Sequence, residues 1–169
     1  YDANGELITE VSGDANRKIV KYDELPKYLP IAFVSIEDER FYEHNGIDIR
    51  RSAAATITYI FNRGESSFGG STITQQLIKN LKEDKDNSSW AGVQRKIREM
   101  ARAYNLEKML SKDQILEMYL NIVFMGGTNV GVGAGASYYF NKDVSQLDLA
   151  ECAFLAGINH SPNSYNPYD

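Results

Sequence analysis

Polar and apolar residues change rhythm along this chain near residue 25. Before it, the turn pairs Asn4-Gly5 and Gly13-Asp14 bracket short alternating pieces such as Glu6-Leu7-Ile8-Thr9, the pattern of a small hairpin or an extended linker. Beyond Leu25 the spacing becomes helical. Pro30 suits a first turn, and Phe33, Ile36 and Phe41 recur so that they can face a core. Asp48 is a good N-cap for the run IRRSAAATITYIF, which Arg63 to Ser67 interrupts. Gly69-Gly70-Ser71 leads into a helix predicted from Thr72 to about Lys82. The polar stretch from Glu83 to Ser89 reads as a surface loop, and a long helix is expected from about Gly92 to Leu110.

Further on, Ser111-Lys112-Asp113-Gln114 matches a capping box that starts ILEMYLNIVF. Gly126 to Gly135 is a glycine-rich connection, in which GVGAGA implies close helix packing. Ser145 to Asp148 reads as a looser cap, starting a helix that Gly157 closes. The tail SPNSYNPY is turn-rich and irregular. The chain is therefore mainly α, with little strand beyond its start.

The 169 residues fit one domain with one full core. The single cysteine, Cys152 in LAECAFLAG, makes no internal disulfide and reads as a small core residue. No stretch reaches the roughly 18 apolar residues of a membrane span. The chain opens at Tyr1 without a methionine and is read as a segment of a longer protein. Its formal net charge of −5 argues against nucleic acid as the main partner. That average hides a cluster of Arg95, Lys96, Arg98, Arg102, Lys108 and Lys112, which fits either a phosphorylated ligand or a solvated helix face.

Three segments can carry chemistry. In the first, Glu37-Asp38-Glu39 precedes Phe41, His44, Gly46 and Asp48. Glu37 has apolar neighbours on one side, so it is either a half-buried carboxylate suited to moving protons or part of an exposed acidic turn. In the second, GGSTITQQLIKN, helical spacing aligns Ser71, Gln75 and Lys79 opposite Ile73, Leu77 and Leu81. The glycines open the first-turn amides to an anion, and the competing reading is an ordinary amphipathic helix. In the third, RKIREMARAYNLEKML, Arg95, Arg98 and Arg102 share a face, while Ile97, Ala101 and Tyr104 share another. Glu99 there is either an ion-pair partner at helical spacing or a carboxylate embedded in a pyrophosphate-binding wall. The sequence holds no SxxK or KTG, so penicillin-reactive serine machinery is absent from it. His44 and His160 lack metal-ligand companions. Ile57 to Phe61, with Phe68, is apolar enough for core packing or a membrane-facing flap.

These segments resemble family 51 glycosyltransferases, the peptidoglycan-polymerising domains of class A penicillin-binding proteins and their monofunctional counterparts. EDERFYEHNGID at 37–48 is similar to the family's EDxxFxxHxGxD signature. GGSTITQQLIKN at 69–80, RKIRE with LE at 95–107, KDQILEMYLN at 112–121 and SPNSYNP at 161–167 follow in the family's order. The resemblance runs from about Leu25 to the end, giving residues 1–24 as an N-terminal linker or hairpin and 25–169 as the glycosyltransferase domain.

The resemblance implies a lysozyme-like, two-lobed helical fold acting on lipid II, a disaccharide-pentapeptide on undecaprenyl diphosphate, and on the growing glycan chain. By motif position Glu37 corresponds to the catalytic base and Glu99 to a second essential carboxylate. Lys79, Arg95 and Arg98 match the residues that hold the donor diphosphate. Ser71, Gln75 and Asn80 would line the donor site, and Asp38 and His44 are placed with the substrate-binding residues. The chain departs from the family pattern at Ala53-Ala54-Ala55, where relatives often carry an arginine and where Arg50 and Arg51 are the nearest cations. No cofactor is firmly implied. A divalent cation, magnesium or manganese, bridging the diphosphate is compatible with the chemistry, although no dedicated metal site is readable. Implied partners are the membrane surface and a transpeptidase domain in cis or in trans, with no nucleic acid. The implied place is the extracytoplasmic face of the bacterial plasma membrane, reached by an N-terminal anchoring helix outside this chain. Two other readings compete: a lysozyme-like enzyme that cleaves the same glycan, and a non-catalytic module that binds lipid II.

Overall fold

A computed structural model describes residues 16–53, 70–81 and 89–168. Its helices are α1 (Tyr28–Glu37), α2 (Ile73–Leu81), α3 (Ser89–Met109), α4 (Lys112–Leu120), α5 (Val132–Phe140), α6 (Leu149–His160) and α7 (Pro162–Tyr165). A further helical stretch begins at 49 and is described to 53. Strand β1 (Asn16–Arg17) pairs in parallel with β2 (Asn129–Val130). The expected mainly helical class holds. Residues 1–15 of the hairpin or linker expected over 1–24, the apolar run 57–61 with Phe68, and residues 83–88 of the expected Glu83–Ser89 loop lie outside the described residues, and Ser89 begins α3 instead.

The core forms where the amphipathic faces meet. Helix α1 buries Leu29, Phe33 and Val34 along α6, which contributes Cys152, Leu155 and Ala156. From α2 and α4 come Ile73, Leu77, Ile115, Leu116, Tyr119 and Leu120. Phe33 meets Tyr119 edge-on, with ring centroids 6.3 Å apart. Cys152 is an unpaired core residue, and burial pushes its thiol up to about 11.

The backbone of the lead-in is tied to side chains of the helical body. Val20 N–H donates to Asn121 Oδ1 at 2.9 Å, and Asn121 Nδ2 donates back to the Val20 carbonyl at 2.8 Å. The Tyr22 N–H donates to Glu117 Oε2 at 2.6 Å. Close packing at GVGAGA is present as expected: a side chain added at Gly133 would run into the Lys18 carbonyl.

Several details depart from the periodicity. Ile36 is 38% exposed, because α1 turns its Leu29–Phe33–Val34 stripe inward and ends one residue later. Leu81 is exposed at the described end of α2. On α3 the face that packs carries Glu99 and Ala103, whereas Ile97 is 61% exposed and Tyr104 is half-exposed. Ser111 and Gln114 form the expected capping box. Ser145 does not cap α6; it sits in a 3-10 turn (Val144–Gln146) capped by Asp143. Asp148 and Glu151 cap α6, since the shorter Asp side chain reaches the Glu151 N–H at 2.9 Å. Gly157 lies inside α6, which continues to His160. The tail expected to be irregular contains α7.

Candidate active site

Three successive acids close α1, and the fold separates them. Glu37 is its last residue and Asp38 its C-cap; both are buried while Glu39 is exposed. The Asp38 carboxylate sits at the start of α2, where Oδ2 accepts the Ile73 N–H at 3.0 Å. That is where a negative charge is favoured. His44 Nε2 lies 3.0 Å from the same oxygen, and Arg51 Nη1 lies 4.0 Å from Oδ1. The Ile73 amide, first of α2, is thus met from within the protein. Thr72 and Gln75 form a reciprocal box, Gln75 N–H to Thr72 Oγ1 at 3.2 Å and Thr72 N–H to Gln75 Oε1 at 3.3 Å. The open anion site expected after Gly69-Gly70 is therefore occupied by Asp38 at Ile73.

The 40–48 loop is locked in place. Arg40 Nη2 donates to both Asp48 oxygens at 2.6 and 2.7 Å, and Asp48 Oδ1 accepts the Arg51 N–H at 2.9 Å. Burial raises the Asp48 carboxyl, but the Arg51 amide and the Arg40 guanidinium outweigh it and hold the group below its ordinary value. Gly46 has φ +83°, and a Cβ there would lie 2.7 Å from the Ala103 backbone, so this loop can press on α3 only with glycine. Lys112 Nζ donates to the His44 carbonyl at 2.7 Å and to Glu107 Oε2 at 2.6 Å. Glu107 Oε1 accepts the Thr74 hydroxyl at 2.5 Å. His44 Nδ1 is buried with no hydrogen-bond partner.

Glu37 is 8% exposed and held by nitrogen groups on two helices. Gln76 Nε2 donates to Oε2 at 2.9 Å, Asn159 Nδ2 donates to Oε1 at 3.2 Å, and His160 Nδ1 lies 3.3 Å from Oε1. The Tyr119 hydroxyl donates to Gln76 Oε1 at 2.9 Å and accepts from Asn159 Nδ2 at 3.1 Å. That bond fixes which end of the Gln76 amide faces Glu37. Burial, and next the Glu37 charge, push the Tyr119 phenol far up, so it stays a neutral donor.

One residue back along α2, Gln75 faces the cations. Lys96 Nζ donates to Ser71 Oγ at 2.8 Å and to Gln75 Oε1 at 3.4 Å. It lies 3.6 Å from Glu99 Oε2, and Arg95 Nε lies 3.7 Å from Glu99 Oε1. Burial pulls the Lys96 ammonium below its ordinary value; Glu99 opposes this, while Lys79 and Arg95 add to it. Gln75 Nε2 is buried and has no hydrogen-bond partner.

Ser71, Gln75, Arg95 and Glu99 therefore gather around Lys96, a cation that spacing alone did not single out. Lys79, Asn80 and Arg98 are exposed. The expected Ser71–Gln75–Lys79 row is not one open face: Ser71 precedes the helix and Gln75 is buried, leaving Lys79 on the surface. Gln76, Tyr119, Asn159 and His160 were also not foreseen around Glu37. The doubled glutamine was the available signal, since adjacent helix positions point about 100° apart and can serve two subsites. A separate cavity of about 550 Å³ lies beside the motif loop, lined by Arg40, His44, Asp48, Ile49, Arg50 and Tyr104 among others; neither Glu37 nor Lys96 lines it. Among the described residues, no three His, Cys, Asp or Glu side chains gather as metal ligands.

Comparison with known proteins matches residues 4–169 to the transglycosylase family. Penicillin-binding protein 1A of Clostridium novyi (strain NT) is 47% identical over 172 residues, covering 99% of this chain and 20% of that protein. Penicillin-binding protein 1A of Clostridium perfringens (strain 13 / Type A) is 47% identical over 169 residues, covering 98% and 24%. Penicillin-binding protein 1A of Neisseria flavescens is 42% identical over 167 residues, covering 99% and 20%. The chain thus spans about a fifth to a quarter of the length of these relatives. With that match along almost its whole length, the chain belongs to the transglycosylase family.

Proposed function

We propose that this domain extends glycan strands from lipid II by a single inverting displacement, with Glu37 as the base. The growing chain, activated at its anomeric carbon by diphosphate, is the donor. The acceptor 4-hydroxyl is a poor nucleophile until a base removes its proton during attack. That proton passes to Glu37, the new β-1,4 C–O bond forms, and undecaprenyl diphosphate departs with the electron pair. Lys96, supported by Arg95 and held by Ser71 and Gln75, meets the charge growing on the leaving group. Glu99 keeps Lys96 and Arg95 turned toward that place.

One observation carries this reading. Adjacent α2 residues Gln76 and Gln75 touch Glu37 and Lys96 respectively, so a buried carboxylate and a partly desolvated cation share one short scaffold. A base and a diphosphate clamp need that proximity, whereas glycan cleavage gains nothing from the cation. Neutralisation of the leaving group is assigned to Lys96 and Arg95, an assignment compatible with a magnesium or manganese ion bridging the diphosphate.

No described helix is long and apolar enough to cross a membrane. Because the substrate is lipid-linked, we place the domain at the extracytoplasmic membrane face, anchored by a segment of the parent protein outside this chain. We also assign that parent a penicillin-reactive transpeptidase domain, as the relatives' name and greater length imply. The test is incubation of the purified chain with lipid II in detergent and, separately, with polymeric peptidoglycan. Strand growth from lipid II supports the proposal. Shortening of the polymer would assign a lysozyme-like activity, and binding without turnover a substrate-holding module.

A further inference from the structure

His160 ends α6 with its side chain 58% exposed, yet its Nδ1 lies 3.3 Å from Glu37 Oε1, a carboxylate whose own side chain is only 10% exposed. The other groups on this carboxylate are the amide nitrogens of Gln76 and Asn159, which donate to it and never change charge. Tyr119 orients those amides without a described contact to Glu37. The imidazole is thus the wet edge of an otherwise buried clamp. Among the groups touching this carboxylate it alone can be either neutral or a cation.

We propose that His160 is a positioning residue for Glu37 and a brake on it in acid, an inference that rests on Glu37 being the base. Neutral, the ring donates Nδ1–H to Oε1 and, with Asn159, holds that oxygen in a fixed direction. Protonated, the same contact becomes an ion pair. The imidazolium then stabilises the carboxylate and weakens its pull on the acceptor proton. Protonation of the ring therefore slows polymerisation.

The surroundings permit this. Of the elements packed on α6, α1 carries Tyr28 and Glu37 with Asp38 just beyond it, α5 carries Tyr138 and Tyr139, and α7 carries Tyr165. From α4, Tyr119 reaches Asn159. The acids of α6 itself are Asp148 at its cap and Glu151 in its first turn, both at the opposite end. Glu37 is the ion-pair partner that the structure gives His160.

The test compares wild type, His160→Ala and His160→Gln in lipid II polymerisation from about pH 5 to 9, with melting curves alongside. His160→Ala should lose about tenfold in kcat at alkaline pH with KM unchanged, the size expected from one lost hydrogen bond. His160→Gln keeps a donor without a titrating ring, so it should recover most of that loss and show a shallower acid limb than wild type. Wild-type kcat in His160→Ala would overturn the inference. So would a His160→Gln profile superimposable on that of wild type, or equal defects in both variants. Failure of the underlying reading looks different: Glu37→Gln would then polymerise like wild type, whatever His160 does.

Discussion

Replacing Glu37 by glutamine keeps the shape of the side chain and removes its ability to take a proton. The structural cost can be worked from its contacts. Oε1 faces Asn159 and His160 and Oε2 faces Gln76, so an amide can satisfy only one side as an acceptor. Its oxygen belongs where two donors converge, leaving its NH₂ against Gln76 Nε2. Turning the Gln76 amide over repairs that clash, but the Tyr119 hydroxyl then loses the Gln76 Oε1 that accepts its proton. One hydrogen bond is lost, about 1 kcal/mol, which lowers Tm by roughly 2–4 °C in a domain of this size. Loss of general base catalysis costs about 10²–10⁴-fold in rate, or about 3–5 kcal/mol of barrier. A polymerisation assay with lipid II, read by gel separation of glycan strands and paired with calorimetry, should show that large loss beside that small melting shift. Wild-type turnover by Glu37→Gln, or a melting loss large enough to explain inactivity, would refute the reasoning.

Lys96→Met should weaken binding of a diphosphate-bearing donor analogue more than Lys79→Ala does, because Lys96 is the cation held at Ser71 and Gln75 while Lys79 is exposed; isothermal titration measures both. The Lys96 ammonium lies below its ordinary 10.5 through burial, so it is charged at low pH and loses its charge before an ordinary lysine as pH rises. Donor affinity should therefore fall on the alkaline side below 10.5, and Lys96→Arg should abolish that fall. Glu99→Gln should melt within a few degrees of wild type yet lose activity, since its contacts at 3.6 and 3.7 Å orient Lys96 and Arg95 rather than anchor the helix; unchanged turnover would remove Glu99 from the site. Gly133→Ala must push the Lys18 carbonyl aside, a strain of about 1–3 kcal/mol, and should lower Tm without changing donor affinity.

What the sequence discloses depends on how local each signal is. The Ser111–Gln114 box and the Asp48 cap are decided within a few residues and are present as expected. Phe33 and Phe41 are buried, but Ile36 between them is not, because α1 turns its Leu29–Phe33–Val34 stripe inward and Phe41 lies past its end in a 3-10 turn (Phe41–Glu43). On α3, apolar character pointed to Ile97 and Tyr104, while among the described side chains the buried ones are Glu99 and Ala103. A small residue is needed where Gly46 presses on the helix, and a carboxylate where Lys96 and Arg95 meet. Arg95, Lys96 and Arg98 are equivalent as letters; only the course of α2 across α3 decides that Lys96 reaches Ser71. Asn159 and His160 meet Glu37 from more than 120 residues away, a distance that no local pattern spans.

The central claim is that Glu37 and Lys96 act on two ends of one bond, and a crystal structure of the chain with a non-cleavable lipid-diphosphate donor analogue tests it most directly. The account predicts diphosphate oxygens about 3 Å from Lys96 Nζ, Gln75 Nε2 turned toward the ligand, and the anomeric carbon facing Glu37. A diphosphate bound away from Lys96, or an anomeric carbon beyond the reach of a hydroxyl held by Glu37, would contradict it.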